Sequence, residues 1–307
     1  MAEAGAVVVI GDVMTDILVR PEGPIVAGSD RRAEIRTIPG GGGGNQAAWL
    51  AHHGARVRLA ARVAAADRAR LAAAARADGV EPWLGADPDR ATGVLVALVG
   101  ADGERSFLTD RGANLGLCAA DLPDALLEGA RLVHVSGYAL MAPGPRAAVL
   151  GFLDRARAAG LAVSVDPGSA SFLAEMGPAA FLDGIAGADF FFPNAAEAEI
   201  LTDLGDPEAQ LARLAPRFGR VALKRGARGA MLAHGPARWS NPAPRVAAID
   251  TTGAGDAFLG AFLAAWLRGA ENSRCLEVAI AAGAAATTAL GARPPRMAVS
   301  ADAAAHR

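Results

Sequence analysis

A carboxylate stands at the edge of what the sequence marks as an anion site. Residues 250–262 read DTTGAGDAFLGAF: Gly253, Ala254 and Gly255 lead into Asp256, and an apolar run with helical spacing follows. The first backbone N–H groups of a helix have no internal partner and its dipole is positive there, so such a start holds a phosphate well. Asp is also a favoured helix cap, and capping alone would account for one acidic residue. The sharper reading is a phosphate held by N–H donors while Asp256 takes a proton from whatever attacks it, and this stretch alone leaves both readings open. On this reading the positive helix start keeps Asp256 ionised.

A second small-residue run lies far upstream. PGGGGGNQAAWL (39–50) carries five consecutive glycines, 40–44, and then Asn45, placed where the cap of the following helix belongs. Glycines allow a ligand to lie against bare backbone, and Asn45 offers donors and an acceptor. Neither this run nor the N-terminal VVVIGDVMTD places a G-x-G-x-x-G dinucleotide fingerprint, and no phosphate loop ending in GK[ST] occurs. Dinucleotide oxidoreductases and P-loop enzymes are thereby set aside. Cys118 and Cys275 make no disulfide framework, and the five histidines make no zinc signature.

These residues need rigid elements behind them. The runs AVVVIGD (6–12), RLVHVSG (131–137), LAVSVDP (161–167), ADFFFPN (188–194) and RVALKRG (220–226) are short, apolar and end in polar or turn residues. Such runs suit strands buried on both faces. Helical patterns at 145–159 and 207–218 lie between them. The alternation predicts a parallel sheet with helices on both sides, and ligands bind such sheets at the carboxyl ends of their strands. Residues 91–112 break the rhythm as an antiparallel hairpin turning at Asp102-Gly103. With residues about 13–38 they predict a small separate sheet, a candidate lid. The alanine-rich stretch 64–77 reads as a solvent-facing helix, and no linker divides the chain.

PGGGGGNQAA and DTTGAGDAF, in that order, resemble the two signatures of the ribokinase-like PfkB carbohydrate kinases. GDVMTD (11–16), RGAN (111–114), PNAAEAEIL (193–201) and LKRGARGA (223–230) fit the same family in sequence order, so the resemblance spans nearly the whole chain. It implies an α/β fold: a ribokinase-like three-layer domain over residues 1–307, with a mostly parallel central sheet flanked by helices and a small β-sheet lid. It implies ATP-dependent transfer to a hydroxyl of a sugar or sugar-like compound, with Mg²⁺ and, in many members, K⁺. Asp256 becomes the general base, and the N–H groups of Gly253, Ala254, Gly255 and Asp256 stabilise the transferring phosphoryl group. Asn194 and Glu197 form an N-x-x-E pair that organises Mg²⁺ through water. Lys224, the sole lysine, lies beside Gly226 and Gly229, which approach the nucleotide, and the helix at 279–290 packs near adenine. Asp250, Thr252 and Gly291 align with a monovalent-cation site.

For the acceptor, the resemblance selects Asp16, Gly41 and Asn45, with Asp12 as a further candidate. Met14, Gly42 and Gly137 replace polar sugar contacts of ribokinase proper, and DPGSASFL (166–173) lacks the arginine that goes with acidic sugars. Met14 and Tyr138 make the pocket more apolar, so a nucleoside acceptor is the alternative. A non-catalytic sensor would be expected to lose the base or the anion loop, and both are kept. Pairing through the lid sheet implies a homodimer. The formal net charge of −2 gives no reason to expect nucleic acid or an acidic membrane as partner, and no apolar stretch is long enough to span a bilayer. A soluble, cytoplasmic enzyme is the expectation.

Overall fold

The computed structural model describes residues 5–100 and 105–295 of the chain. The first half contains β1 (Ala6–Ile10), β2 (Met14–Pro21), β3 (Ala33–Gly40), α1 (Gly42–His52), β4 (Val57–Ala64), α2 (Arg68–Ala77), β5 (Val80–Asp87), β6 (Thr92–Val99) and β7 (Arg105–Gly112). The centre contains β8 (Ala130–Ser136), α3 (Pro143–Ala158), β9 (Ala162–Asp166), α4 (Ala170–Met176), α5 (Pro178–Gly184), β10 (Phe190–Phe191) and α6 (Ala195–Thr202). The last third adds α7 (Pro207–Leu214), β11 (Arg220–Lys224), β12 (Ala230–His234), β13 (Ala237–Asn241), α8 (Ala254–Leu267) and α9 (Asn272–Ala286).

Nine strands form one sheet in the order β13-β12-β11-β10-β9-β8-β1-β4-β5. From β11 to β5 every pairing is parallel, and at the other edge β12 pairs antiparallel with both β11 and β13. Val7, Val8, Val9 and Ile10 have no exposed surface, as a continuous apolar run in a central parallel strand requires. One face packs on α3 and its neighbours through Phe152, Phe181 and Phe191; the other packs on α1 and α8 through Leu50, Phe258 and Phe262. These are the three layers that the sequence predicts.

Some boundaries differ from those expectations. The run 188–194 pairs only at Phe190–Phe191, with a separate bridge from Asn194 to Lys224. Pro193 lacks the N–H that would continue the ladder. The sequence reading names no strand at 57–64, 80–87 or 230–241, where β4, β5, β12 and β13 lie. VRLAARVA owes its strand state to parallel pairing with β1 and β5, since its composition suits a helix equally.

The four-stranded lid has the order β3-β2-β6-β7 and is built from the two excursions the sequence marks. The Asp102-Gly103 turn lies outside the described residues. At the root of the lid, Arg111 grips both carboxylate oxygens of Asp12 at 2.9 and 2.8 Å, and Asn114 closes on the backbone N–H and C=O of Val13. The ion pair is buried, with 9% and 5% of the two side chains exposed. Arg111→Ala leaves Asp12 buried and unpaired, so it is expected to destabilise the fold by about 3–5 kcal/mol. Urea unfolding measures that loss, and a cost below about 1 kcal/mol would show that the lid root is held by other contacts.

Candidate active site

The carboxyl ends of the parallel strands converge at one edge of the sheet. Asp12 follows β1, Gly137 follows β8, Asp166 ends β9, Asn194 follows β10 and Lys224 ends β11. Above them, α8 begins. Gly253 caps it with φ 78°, and a Cβ there would strike the carbonyl of Ala292, so only glycine fits. Asp256 lies in the first turn and is not the cap. The N–H groups of Gly255 and Asp256 are therefore helix-start donors.

The expectation that the helix start keeps Asp256 ionised needs correction. Burial pushes its carboxyl up to about 7, and the nearby Asp166 adds to the rise. Lys224, Gln46 and Arg293 pull the other way without cancelling it. Desolvation of a half-buried carboxylate beside a second carboxylate outweighs the dipole. The result is a group that exchanges its proton near neutrality, as a general base must.

Lys224 donates to Asp166 Oδ2 at 2.6 Å and has 13% of its side chain exposed. Its Nζ lies 3.3 Å from where a Cβ on Gly255 would stand, so the ammonium is set against the start of α8. Burial alone would lower the Lys224 pKa, but Asp166, Glu197 and Asp256 hold it above its ordinary value. The cation is therefore retained. Asn194 and Glu197 form a reciprocal capping box on α6: Asn194 Oδ1 accepts from Glu197 N–H at 2.9 Å, and Glu197 Oε2 accepts from Asn194 N–H at 2.7 Å. Burial raises Glu197 to about 7; Lys224 opposes this and Asp166 reinforces it.

Beside this cluster opens a cleft of about 640 Å³, in the size range of small-ligand sites. Asn194, Lys224, Gly226, Gly229, Ala254 and Gly255 all line it. Gly226 and Gly229 have φ 56° and 81°, conformations that side chains resist. Ile280, Gly283 and Ala284 of α9 form the far wall, so the small-residue stripe does open a cavity there.

The remaining candidates lie where the lid strand β2 meets the start of α1. Asn45 is inside α1, whose cap is Gly41 with φ 86°, so the expected capping role does not hold. Its Oδ1 instead accepts from Arg293 Nε at 3.2 Å, and the same arginine reaches Asp78 at 2.7 Å. The glycines serve packing as well as access: a Cβ at Gly41 or Gly43 would enter the backbone of Asp12 or Gly11, and one at Gly40 would fall on the Asp16 carboxylate. Asp16 is buried, and burial lifts it to about 6 against the pull of Arg293. Among the described residues, Asp16 Oδ1 has no hydrogen-bond partner. Buried polar atoms are rarely left so, and this one suits a hydroxyl donor. Asp12, by contrast, spends both oxygens on Arg111 and serves as a strut for the lid.

Asp250, Thr252 and Gly291 are brought together as a clip. The two oxygens of Asp250 accept the N–H groups of Thr252 and Gly291, each at 2.8 Å, and tie the start of α8 to the segment after α9. Three residues that sequence reasoning did not select complete the site. Asp166 ends a strand, as several others do, and nothing local distinguishes it. Gln46 and Arg293 act across 88 and 248 residues of chain, beyond any sequence pattern. No group of three or more metal-binding side chains occurs among the described residues.

A family model described as pfkB family carbohydrate kinase matches residues 5–298. An ATP-dependent ribose-1-phosphate kinase of Halopiger xanaduensis is 33% identical over 203 residues, which is 66% of this chain and 64% of that one. An aminoimidazole riboside kinase of Salmonella typhimurium is 30% identical over 320 residues, covering 92% of this chain and 89% of its own. Among solved structures, a probable sugar kinase from Rhizobium etli superposes with a TM-score of 0.86 at 26% identity, over 95% of both chains.

Proposed function

The chain belongs to the pfkB family of carbohydrate kinases, and on that premise we propose that it moves the γ-phosphoryl group of ATP onto a hydroxyl of a small sugar or sugar-like acceptor. The observation that carries this reading is Asp256: a carboxyl near pKa 7, one turn into a helix whose start lines a nucleotide-sized cleft. The acceptor binds against Asp16, whose unpaired oxygen takes a hydroxyl hydrogen bond, at the start of α1 capped by Gly41 and near Asn45, which Arg293 holds. Asp256 removes the proton of the attacking hydroxyl. The N–H groups of Gly253 to Asp256 and the Lys224 ammonium meet the charge on the transferring phosphoryl group.

Mg²⁺ fits the chemistry of this donor set. Asp166, Glu197 and Asp256 all act on the single ammonium of Lys224, and burial, reinforced by Asp166, pushes Glu197 and Asp256 towards neutrality. Glu197 and Asn194 would hold the ion through water, and its charge would lower the cost of bringing phosphates in. For a monovalent cation the fit is poorer. Asp250 already serves two backbone donors, so no step is assigned to K⁺.

A nucleoside acceptor is the second reading, and Tyr138 favours it. The ring stands edge-on to Phe172 beside Gly42 and Gly168, and burial together with Glu197, Asp166, Asp256 and Asp12 raises its hydroxyl pKa. Such a ring gives a base an aromatic partner. No comparison supports a non-catalytic role. Pairing of two copies through the lid remains our proposal, supported by the exposed Ile35, Phe107 and Leu108 on its strands. No helix among the described residues is long and apolar enough to cross a membrane.

The test is ADP release from ATP and Mg²⁺ with pentoses, hexoses, sugar phosphates and nucleosides. Turnover with a free or phosphorylated sugar supports the first reading, and turnover confined to nucleosides the second. A protein that binds no nucleotide under any condition would sink both.

A further inference from the structure

A second cavity opens at the opposite end of the sheet, where β8 and β11 begin and α8 gives way to α9. Its volume is about 490 Å³, room for a single-ring ligand with a charged group. Arg131, Arg220, Trp239, Trp266, Glu271 and Asn272 line it. Two of the chain's four tryptophans are thus gathered at one opening, beside two arginines.

The state of those arginines is what marks the cavity as a site. Arg58, Arg62, Arg111 and Arg293, partly or fully buried elsewhere, each meet a carboxylate. Among the described residues, Arg131 and Arg220 form no ion pair and are held by neutral groups instead. Arg131 donates to the Leu267 carbonyl at 3.0 Å, with its guanidinium 5.5 Å from the centre of the Trp266 ring. Arg220 donates through Nε to Asn272 Oδ1 at 2.8 Å and lies 5.1 Å from the centre of the Phe190 ring. Asn272 is fixed in turn: with Oδ1 engaged, its amide N–H donates to His234 Nδ1 at 3.0 Å. Burial lowers the Arg220 pKa, and Cys275 and Asp189 oppose the fall. Each guanidinium is therefore aimed in advance while most of its five N–H donors stay uncommitted to an acid. An incoming anion meets the guanidinium forks, and a flat ring meets the indole and guanidinium faces. Glu271, exposed at the rim, is the one acid among the lining residues. Two arginines against one glutamate leave a single net positive charge, which suits a small anion better than a triphosphate.

Three elements run from this cavity to the ATP cleft. β11 begins at Arg220 and ends at Lys224. α8 begins at the Gly253 cap and ends at Leu267. α9 begins at Asn272 and supplies Ile280, Gly283 and Ala284 to the cleft. At about 1.5 Å per residue, α8 alone spans roughly 20 Å. Phe258 and Phe262 of α8 share one apolar core with Leu276 and Ala279 of α9, so the two helices shift together or not at all.

We propose that the cavity is a regulatory site for a small aromatic anion, bearing one carboxylate or phosphate, whose occupancy alters ATP affinity through β11, α8 and α9. The binding rests on the cavity alone, and the coupling rests on the reading of the cleft as the nucleotide site.

Indole N–H signals of ¹⁵N-tryptophan-labelled protein separate the two sites, with single Trp→Phe substitutions assigning them. Trp239 and Trp266 report on the cavity. Trp49 Nε1 donates to the Ala292 carbonyl, against which Gly253 packs, so its signal reports on the start of α8. Phenyl phosphate and benzoate are titrated, with inorganic phosphate as the charge alone and benzyl alcohol as the ring alone. Saturable shifts of Trp239 and Trp266 are expected with at least one of the two aromatic anions, and binding about 10-fold weaker or less with charge or ring alone. Arg220→Gln, or Arg131→Gln should the first unfold the protein, should weaken that binding about 10-fold, the worth of one charged hydrogen bond. ATP affinity, measured by calorimetry, should change about 5-fold or more with the cavity filled, and the change should vanish in the same variant. No saturation at Trp239 and Trp266 with either aromatic anion, a response at Trp49 alone, or binding untouched by both arginine substitutions overturns the site. Binding that leaves ATP affinity unchanged overturns the coupling. Failure to bind ATP with the cavity empty is a separate result and overturns the kinase reading.

Discussion

Asp256→Asn is expected to lower kcat by about 10²–10⁴-fold, the usual result of removing a positioned general base. Nucleotide affinity should change little, because Asn keeps the shape of the first turn and the N–H donors are backbone. The same substitution should stabilise the protein at alkaline pH. Burial pushes the Asp256 carboxyl up to about 7 in the folded chain, against 3.8 for a free aspartate, so ionising it costs more in the folded state. The unfolded state releases the proton first, and wild-type stability therefore falls as pH rises from about 4 to about 7. An amide carries no such penalty. The melting temperature of the variant should exceed wild type by more at pH 8 than at pH 5, and the two should converge as pH falls towards 4. An equal difference at both values would mean that Asp256 is not held protonated by the fold.

The second large effect is expected at Lys224. Lys224→Met removes the only ammonium from a site that holds Asp166, Glu197 and Asp256. The transferring phosphoryl group loses an electrostatic partner, and kcat/KM for ATP should fall about 10²–10³-fold. Asp166 is left buried without its 2.6 Å partner, at a cost of about 3–5 kcal/mol in folding. That cost depends on pH with a definite sign. Glu197 already titrates near 7 because burial outweighs Lys224, and without Lys224 it moves higher still. Protonation relieves the repulsion, so the variant should be weakest above pH 7 and recover as pH falls through the Glu197 pKa. Calorimetry across pH 5–8 checks this, and a deficit independent of pH would assign Lys224 a packing role.

Much of this was legible locally. The fold is the ribokinase-like three-layer α/β domain with a separate lid sheet that the motifs and the strand rhythm imply. Apolar runs such as AVVVI identify buried parallel strands, because a segment must hide apolar side chains whatever surrounds it. TTGAGDAF identifies a helix start with a carboxylate in its first turn, because caps and small residues act within a few positions of chain. The N-x-x-E pair is legible for the same reason. Roles that depend on partners distant in sequence were not. Asp12 and Asp16 look alike in GDVMTD, yet Arg111, 99 residues on, engages the first and leaves Asp16 with an unpaired oxygen. Asn45 looks like a cap and is held by Arg293 instead. The ionisation of Asp256 was expected to follow the helix dipole, a local property; it follows desolvation and Asp166, which only the packed chain supplies. Sequence pattern determined the central apolar strands and the helix start at which a phosphate is proposed to be held, while β4 took its strand state from pairing with β1 and β5. Tertiary structure decided which carboxylates are free, which are paired and at what pH they give up their protons, because charge energetics depend on distance and burial in space.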